Sequence, residues 1–103
     1  MTFQQLQDLI GQWSEVTFDD ASPLPKIHHL KSEVDELLAE PFDRYEYADC
    51  LILLVDAARK AGISADALVE TAFSKMEINK RRVWGADEQG ISHHLATAAS
   101  RAA

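Results

Sequence analysis

A chain of 103 residues with a formal net charge of −7 has room for one domain and none for a second core. Its acidity argues against nucleic-acid phosphates as the main partner, since these want a basic stripe. It leaves open a phosphate-bearing substrate met through divalent cations. No basic-then-apolar leader opens the chain, and no apolar run reaches the ~20 residues of a membrane span. A soluble cytoplasmic protein with no membrane partner is expected, and the one cysteine, Cys50, suits a reducing compartment. So small a chain buries only roughly 60–65% of its unfolded surface. Its 47% of hydrophobic residues exceeds what that core needs, which points to an oligomer.

Residues 2–16 place Phe3, Leu6, Leu9, Ile10, Trp13 and Val16 at spacings of three and four, the stripe of an amphipathic helix. Asp19, Asp20, Ser22, Pro23 and Pro25 mark residues 17–25 as a loop. A second helix is expected from about Pro25 to Ala39 with Ile27, Leu30, Val34, Leu37 and Leu38 inward, ended by Pro41. Asp43 is the expected N-cap of a third helix, with Glu46 completing a capping box and Gly62 closing the helix. A fourth runs from a Ser64 N-cap to about Trp84. The expected domain covers 1–85, and 86–103 reads as a C-terminal extension, a short helix or a frayed tail. No β alternation stands out. The expected class is all-α, a four-helix antiparallel bundle-like assembly.

Two acidic motifs carry chemistry: Glu33-Val-Asp-Glu36 and Glu46-Tyr-Ala-Asp49. Positions three apart share a helix side. Glu33 falls beside the arc of Leu30, Val34 and Leu37, with Glu36 one step further round. From Tyr47 to Ala58 the third helix is apolar almost all round, yet Glu46, Asp49 and Asp56 lie along one line. Ionised carboxylates in such surroundings need a partner or a metal, and Mg²⁺ suits them through its preference for oxygen ligands. The alternatives are a capping role for Glu46 and salt bridges for Asp49 and Asp56. A di-iron bundle wants Glu-x-x-His motifs, and no histidine here stands three after an acid.

Lys75, Asn79 and Arg82 are spaced four and three apart, forming one stripe suited to phosphate oxygens or to the dipole at a helix C-terminus. Trp13 and Trp84 offer faces on which a base can stack, though a tryptophan at helical spacing is more often core. The His28-His29 and His93-His94 pairs diverge by 100° on a helix and do not chelate together.

Taken together, these residues resemble the MazG-like all-α NTP pyrophosphohydrolases, most closely the dATP/dGTP diphosphohydrolase-type subgroup. The resemblance runs from Trp13 and Thr17-Phe18 through His29-Leu30, both acidic motifs and Gly62-Ile63-Ser64. It continues over Lys75-Met-Glu-Ile-Asn79-Lys-x-Arg82-x-Trp84-Gly85 to Gly90 and His94. Ser32 stands where the wider family often has a glutamate, and the Glu36–Glu46 connection is shorter than in many members. The resemblance implies Mg²⁺, with Mn²⁺ as a substitute, on Glu33, Glu36, Glu46 and Asp49. It implies a triphosphate on Lys75, Asn79 and Arg82, and cleavage of dATP or dGTP to the monophosphate and pyrophosphate by a homodimer or homotetramer. Glu36 is the expected general base. The competing expectations are dUTP or dCTP as substrate, or a non-catalytic helical interaction module.

Overall fold

The structure, a computed structural model, describes residues 1–18 and 21–95. Asp19 and Asp20 of the expected loop, and the Ala-rich end from Ala96, lie outside the described residues. The elements are α1 (Phe3–Thr17), α2 (Leu24–Ala39), α3 (Arg44–Lys60), α4 (Ala65–Lys80), β1 (Val83–Ala86) and β2 (Ser92–Leu95). The all-α class stands, with four helices among the described residues. None among the described residues is long and apolar enough to cross a membrane.

Each helix starts and stops for a local reason. Thr2 caps α1 in a reciprocal capping box with Gln5. Prolines at the start of α2 have no N–H to lose there, and α2 stops just before Pro41. Asp43 caps α3 by accepting from the Tyr45 N–H at 2.9 Å. At its end the Ile63 N–H reaches the Ala58 carbonyl and the Gly62 N–H the Arg59 carbonyl, a Schellman closure that needs Gly62 at φ 81°. Ser64 caps α4 through the Ala67 N–H.

Contacts divide the chain into two units. In the first, Met1–Leu68, α3 packs against both α1 and α2. The short Glu40–Asp43 connection makes α2 and α3 an antiparallel helical hairpin. Its core joins Ile10, Leu53, Val55, Ala57, Ala58 and Ala65 to four buried polar residues, Gln7, Ser14, Lys26 and Asp56.

The expected stripe of α1 is corrected here. Its buried residues are Gln7, Ile10, Gly11 and Ser14, whereas Phe3, Leu9, Trp13 and Val16 are exposed. Hydrogen bonding explains the exchange. Gln7 donates to the Val55 and Ile63 carbonyls and accepts from the Ala65 N–H, so its burial leaves little unpaired. At Gly11 an added Cβ would sit 2.9 Å from Arg59 Cδ, so the position favours glycine. Of the inward set expected for α2, Leu30 and Leu37 are half-buried, but Ile27, Val34 and Leu38 are exposed.

The second unit begins at Val69 and contains most of α4 and a hairpin. The fourth helix ends at Lys80, short of Trp84. Of the segment expected after Gly85 as a short helix or frayed tail, the described part up to Leu95 completes an antiparallel β1–β2 pair, Val83 opposite Leu95 and Ala86 opposite Ser92, and the rest lies outside the described residues. The Asp87 carboxylate organises the turn by accepting from the Gln89 and Ile91 N–H groups, and Gly90 supplies φ 77°. Four-residue strands are too short to display a period of two against the helical background.

Candidate functional site

Antiparallel packing of α2 on α3 brings the two acidic motifs together. One carboxylate oxygen each from Glu33, Glu46 and Asp49 lies within 4.8 Å of the other two. Glu33 is mostly covered, with 18% of its side chain exposed, Glu46 is half-buried and Asp49 is exposed. Glu33 Oε2 and Glu46 Oε2 are buried without a hydrogen-bond partner, a costly state for carboxylates. Burial, then the charges of Asp43, Asp49 and Glu33, pushes the Glu46 carboxyl above its ordinary value. Glu36 stands outside the group of three. The Glu33 carboxylate, by hydrogen bonding and by charge, holds its carboxyl above the usual range, with Glu46 adding to the effect. Crowded oxygen donors with two orphaned buried atoms suit a hard divalent cation.

Glu46 does not serve as the box partner expected for the α3 cap: it stands in this cluster. Asp56, on the same line of α3, takes the salt-bridge alternative. It accepts from Ser14 Oγ at 2.7 Å and Arg59 Nε at 2.8 Å, and Lys26 Nζ lies 3.6 Å away. Both Lys26 and Asp56 are buried.

His29, which the sequence offers only as half of a non-chelating pair and as part of the family resemblance, stands beside the site. Its Nε2 lies 3.3 Å from Glu33 Oε1, where it fixes the carboxylate from one turn earlier. The i,i+4 spacing of His29 and Glu33 is the sequence signal for this pair.

A cavity of 270 Å³ adjoins the carboxylates. It is lined by Ile10, Trp13, Phe18, Ile52 and Leu53, with Lys26, His29, Glu33, Asp49 and Asp56 as its polar groups. Trp13 therefore faces a pocket, edge-on to Phe18 with ring centres 5.2 Å apart. The Lys26 ammonium sits over the Phe18 ring, 3.6 Å from its centre.

In the second unit, Lys75 and Asn79 share a face of α4, but Arg82 follows the helix in the turn before β1. The expectation of three residues on one helical stripe is corrected accordingly. Arg82 Nη1 reaches Asn79 Oδ1 at 3.5 Å, Arg82 Nε is buried without a partner, and Trp84 Nε1 donates to the Asn79 carbonyl at 2.9 Å. Trp84 packs edge-on against His94 and is not core.

Comparison with known proteins agrees with this architecture. A dATP/dGTP pyrophosphohydrolase family model matches residues 6–100. A dATP/dGTP diphosphohydrolase of Salmonella phage PMBT28 is 41% identical over 95 residues, 91% of this chain and 32% of that protein. The Eaa protein of Salmonella phage P22 is 40% identical over 80 residues, 78% of this chain and 25% of that protein. The chain thus spans only a third or less of these relatives' length. A solved structure, the cyanophage S-2L MazG-like pyrophosphohydrolase bound to dGDP and three catalytic Mn²⁺ ions per active site, is 32% identical. It superposes with a TM-score of 0.80 over 93% of this chain and 99% of its own. On the family match and these identities, the chain belongs to the dATP/dGTP pyrophosphohydrolase family.

Proposed function

We propose that this chain hydrolyses a purine deoxynucleoside triphosphate, dATP or dGTP, to the monophosphate and pyrophosphate. The carrying observation is the convergence of Glu33, Glu46 and Asp49 from two helices, with two buried oxygens left without donors. The phage relative named for dATP/dGTP and the neighbour bound to dGDP and Mn²⁺ support the same reading.

Glu33, Glu46 and Asp49, with Glu36 beside them, would hold Mg²⁺ or Mn²⁺. A cation there supplies charge neutralisation at the phosphates and a more acidic water. Glu36 takes the proton of the attacking water, whose oxygen bonds to the α-phosphorus as the α–β bridging oxygen leaves with pyrophosphate. Glu36 suits this role because it stands beside the three converging carboxylates without joining their group. His29 keeps Glu33 in place. Lys75 and Arg82 donate to phosphate oxygens, and the Asn79–Arg82 contact orients the guanidinium.

The exposed apolar residues Leu9 and Val16 of α1 and Phe73 of α4 support a homodimer or homotetramer, in which second copies cover them. The lone Cys50 thiol fits the reducing cytoplasm.

The test is a panel of deoxynucleoside and nucleoside triphosphates with Mg²⁺ or Mn²⁺, assayed separately for pyrophosphate and orthophosphate. Pyrophosphate from dATP or dGTP, lost with chelator and in Glu36→Gln and Asp49→Asn, is the expected result. Well-folded protein that releases none from any nucleotide overturns the reading.

A further inference from the structure

The cavity beside the carboxylates has two poles. Lys26 and Glu33 are seven residues apart on α2, as are Asp49 and Asp56 on α3. At ~1.5 Å per residue each pair spans about 10 Å along its axis. Because the helices run antiparallel, Glu33 meets Asp49 at one pole and Lys26 meets Asp56 at the other. All four line the cavity, and between the poles its walls are aromatic and aliphatic: Trp13, Phe18, Ile10, Ile52 and Leu53. At 270 Å³ it lies below the roughly 300–1,000 Å³ of pockets for whole drug-sized ligands. It holds part of a nucleotide, with the charged remainder outside.

Resting on the function proposed above, we propose that Lys26 reads the base and selects a 6-oxopurine, guanine, over adenine. A triphosphate held at the Glu33–Asp49 pole directs its nucleoside along the apolar walls toward the Lys26–Asp56 pole. An ammonium only donates. Guanine offers O6 and N7 as two acceptors on one edge, the pattern lysine reads most often, whereas adenine pairs the N7 acceptor with an N6 amino donor. The adenine amino group would then face a cation. Asp56 is a positioning residue: Ser14 and Arg59 fix its two oxygens, and its Oδ2 lies 3.6 Å from the ammonium of the buried Lys26. The Phe18 ring beneath the ammonium adds a second restraint.

The test compares kcat/KM for pyrophosphate release by the unmodified chain on dGTP, dITP, 7-deaza-dGTP and dATP. Deoxyinosine keeps O6 and N7 and lacks the 2-amino group, while the 7-deaza analogue lacks N7. The expected order puts dITP within a few-fold of dGTP, and 7-deaza-dGTP and dATP about tenfold or more below, the scale of one well-made base contact. In Lys26→Met the dGTP-to-dATP ratio collapses toward one. If that variant does not melt cooperatively, the analogue series on the unmodified chain decides alone. Equal turnover of all four, or dITP as poor as dATP with 7-deaza-dGTP fully active, overturns Lys26 as the reader and leaves the reaction standing. No pyrophosphate from any of them overturns both.

Discussion

Asp56 illustrates how a buried carboxylate is tolerated in a small core. At 2% exposure it is bonded by Ser14 and Arg59 and paired with Lys26. Removing it takes the acceptor from Ser14 and Arg59 and the 3.6 Å ion-pair partner from the buried Lys26. Asp56→Ala should therefore cost about 3–5 kcal/mol of stability, measured by denaturant unfolding. A loss below about 1 kcal/mol would mean that solvent reaches the network. Glu15 is the contrasting surface case. Hydrogen bonds from Arg59 and Lys60 hold its carboxyl below the ordinary value of 4.5. A carboxyl lowered on folding stabilises above its unfolded pKa, and that stability is lost as pH falls through the folded value. The melting temperature of Glu15→Gln should sit slightly below that of the unmodified chain at neutral pH. The gap should close once the pH is well below 4.5 and narrow with salt. A gap that persists in acid would assign it to packing.

Among the helices, Gln7 ties three segments together by donating to Val55 and Ile63 and accepting from the first N–H of α4. Gln7→Leu keeps the volume and takes the Gln7 partner from the Ile63 carbonyl and the Ala65 N–H, each worth about 1–3 kcal/mol if desolvated, while the mid-helix Val55 carbonyl keeps its intrahelical bond. It should weaken the chain far more than Leu9→Gln on the exposed face of the same helix, as thermal melts of the two would show. The pair also explains what was legible in the sequence. Caps and stops act locally, so Asp43, Gly62, Ser64 and Pro41 marked helix ends correctly. Of the four carboxylates in the two acidic motifs, Glu33, Glu46 and Asp49 converge while Glu36 stands outside their group, because a spacing of three fixes a shared helix side but not which member reaches the neighbouring helix. The inward face of α1 was not legible: hydrophobicity pointed to Phe3, Leu9, Trp13 and Val16, while tertiary hydrogen bonds chose Gln7 and Ser14. The end of α4 before Arg82, and the hairpin after it, were not legible either. Helical spacing continues past Lys80 on paper, whereas α4 ends there and the Asx-type turn at Asp87 and Gly90 pairs the two short strands that follow.

For the molecule as a whole, seventeen acidic residues against ten basic ones make cation binding a question of stability as well as chemistry. Glu33, Glu46 and Asp49 repel one another within 4.8 Å, and a cation that binds only the folded chain stabilises it by RT ln(1 + [L]/Kd). At a hundred times Kd that is about 2.7 kcal/mol, several degrees in a chain of this size. Mn²⁺ or Mg²⁺ should therefore raise the melting temperature in a saturable way that Ca²⁺-free chelator reverses. Glu46→Gln separates a metal centre from a merely structural acidic cluster. The substitution removes one of the repelling charges, so in chelator the variant should melt no lower than the unmodified chain, while its metal-induced shift should shrink to near zero. A structural cluster predicts the reverse: lower stability in chelator, and no metal-dependent shift in either protein. Because the readout is thermal, it stands whether or not a nucleotide is turned over. It tests whether these carboxylates lower the stability of the empty fold in order to hold a cation.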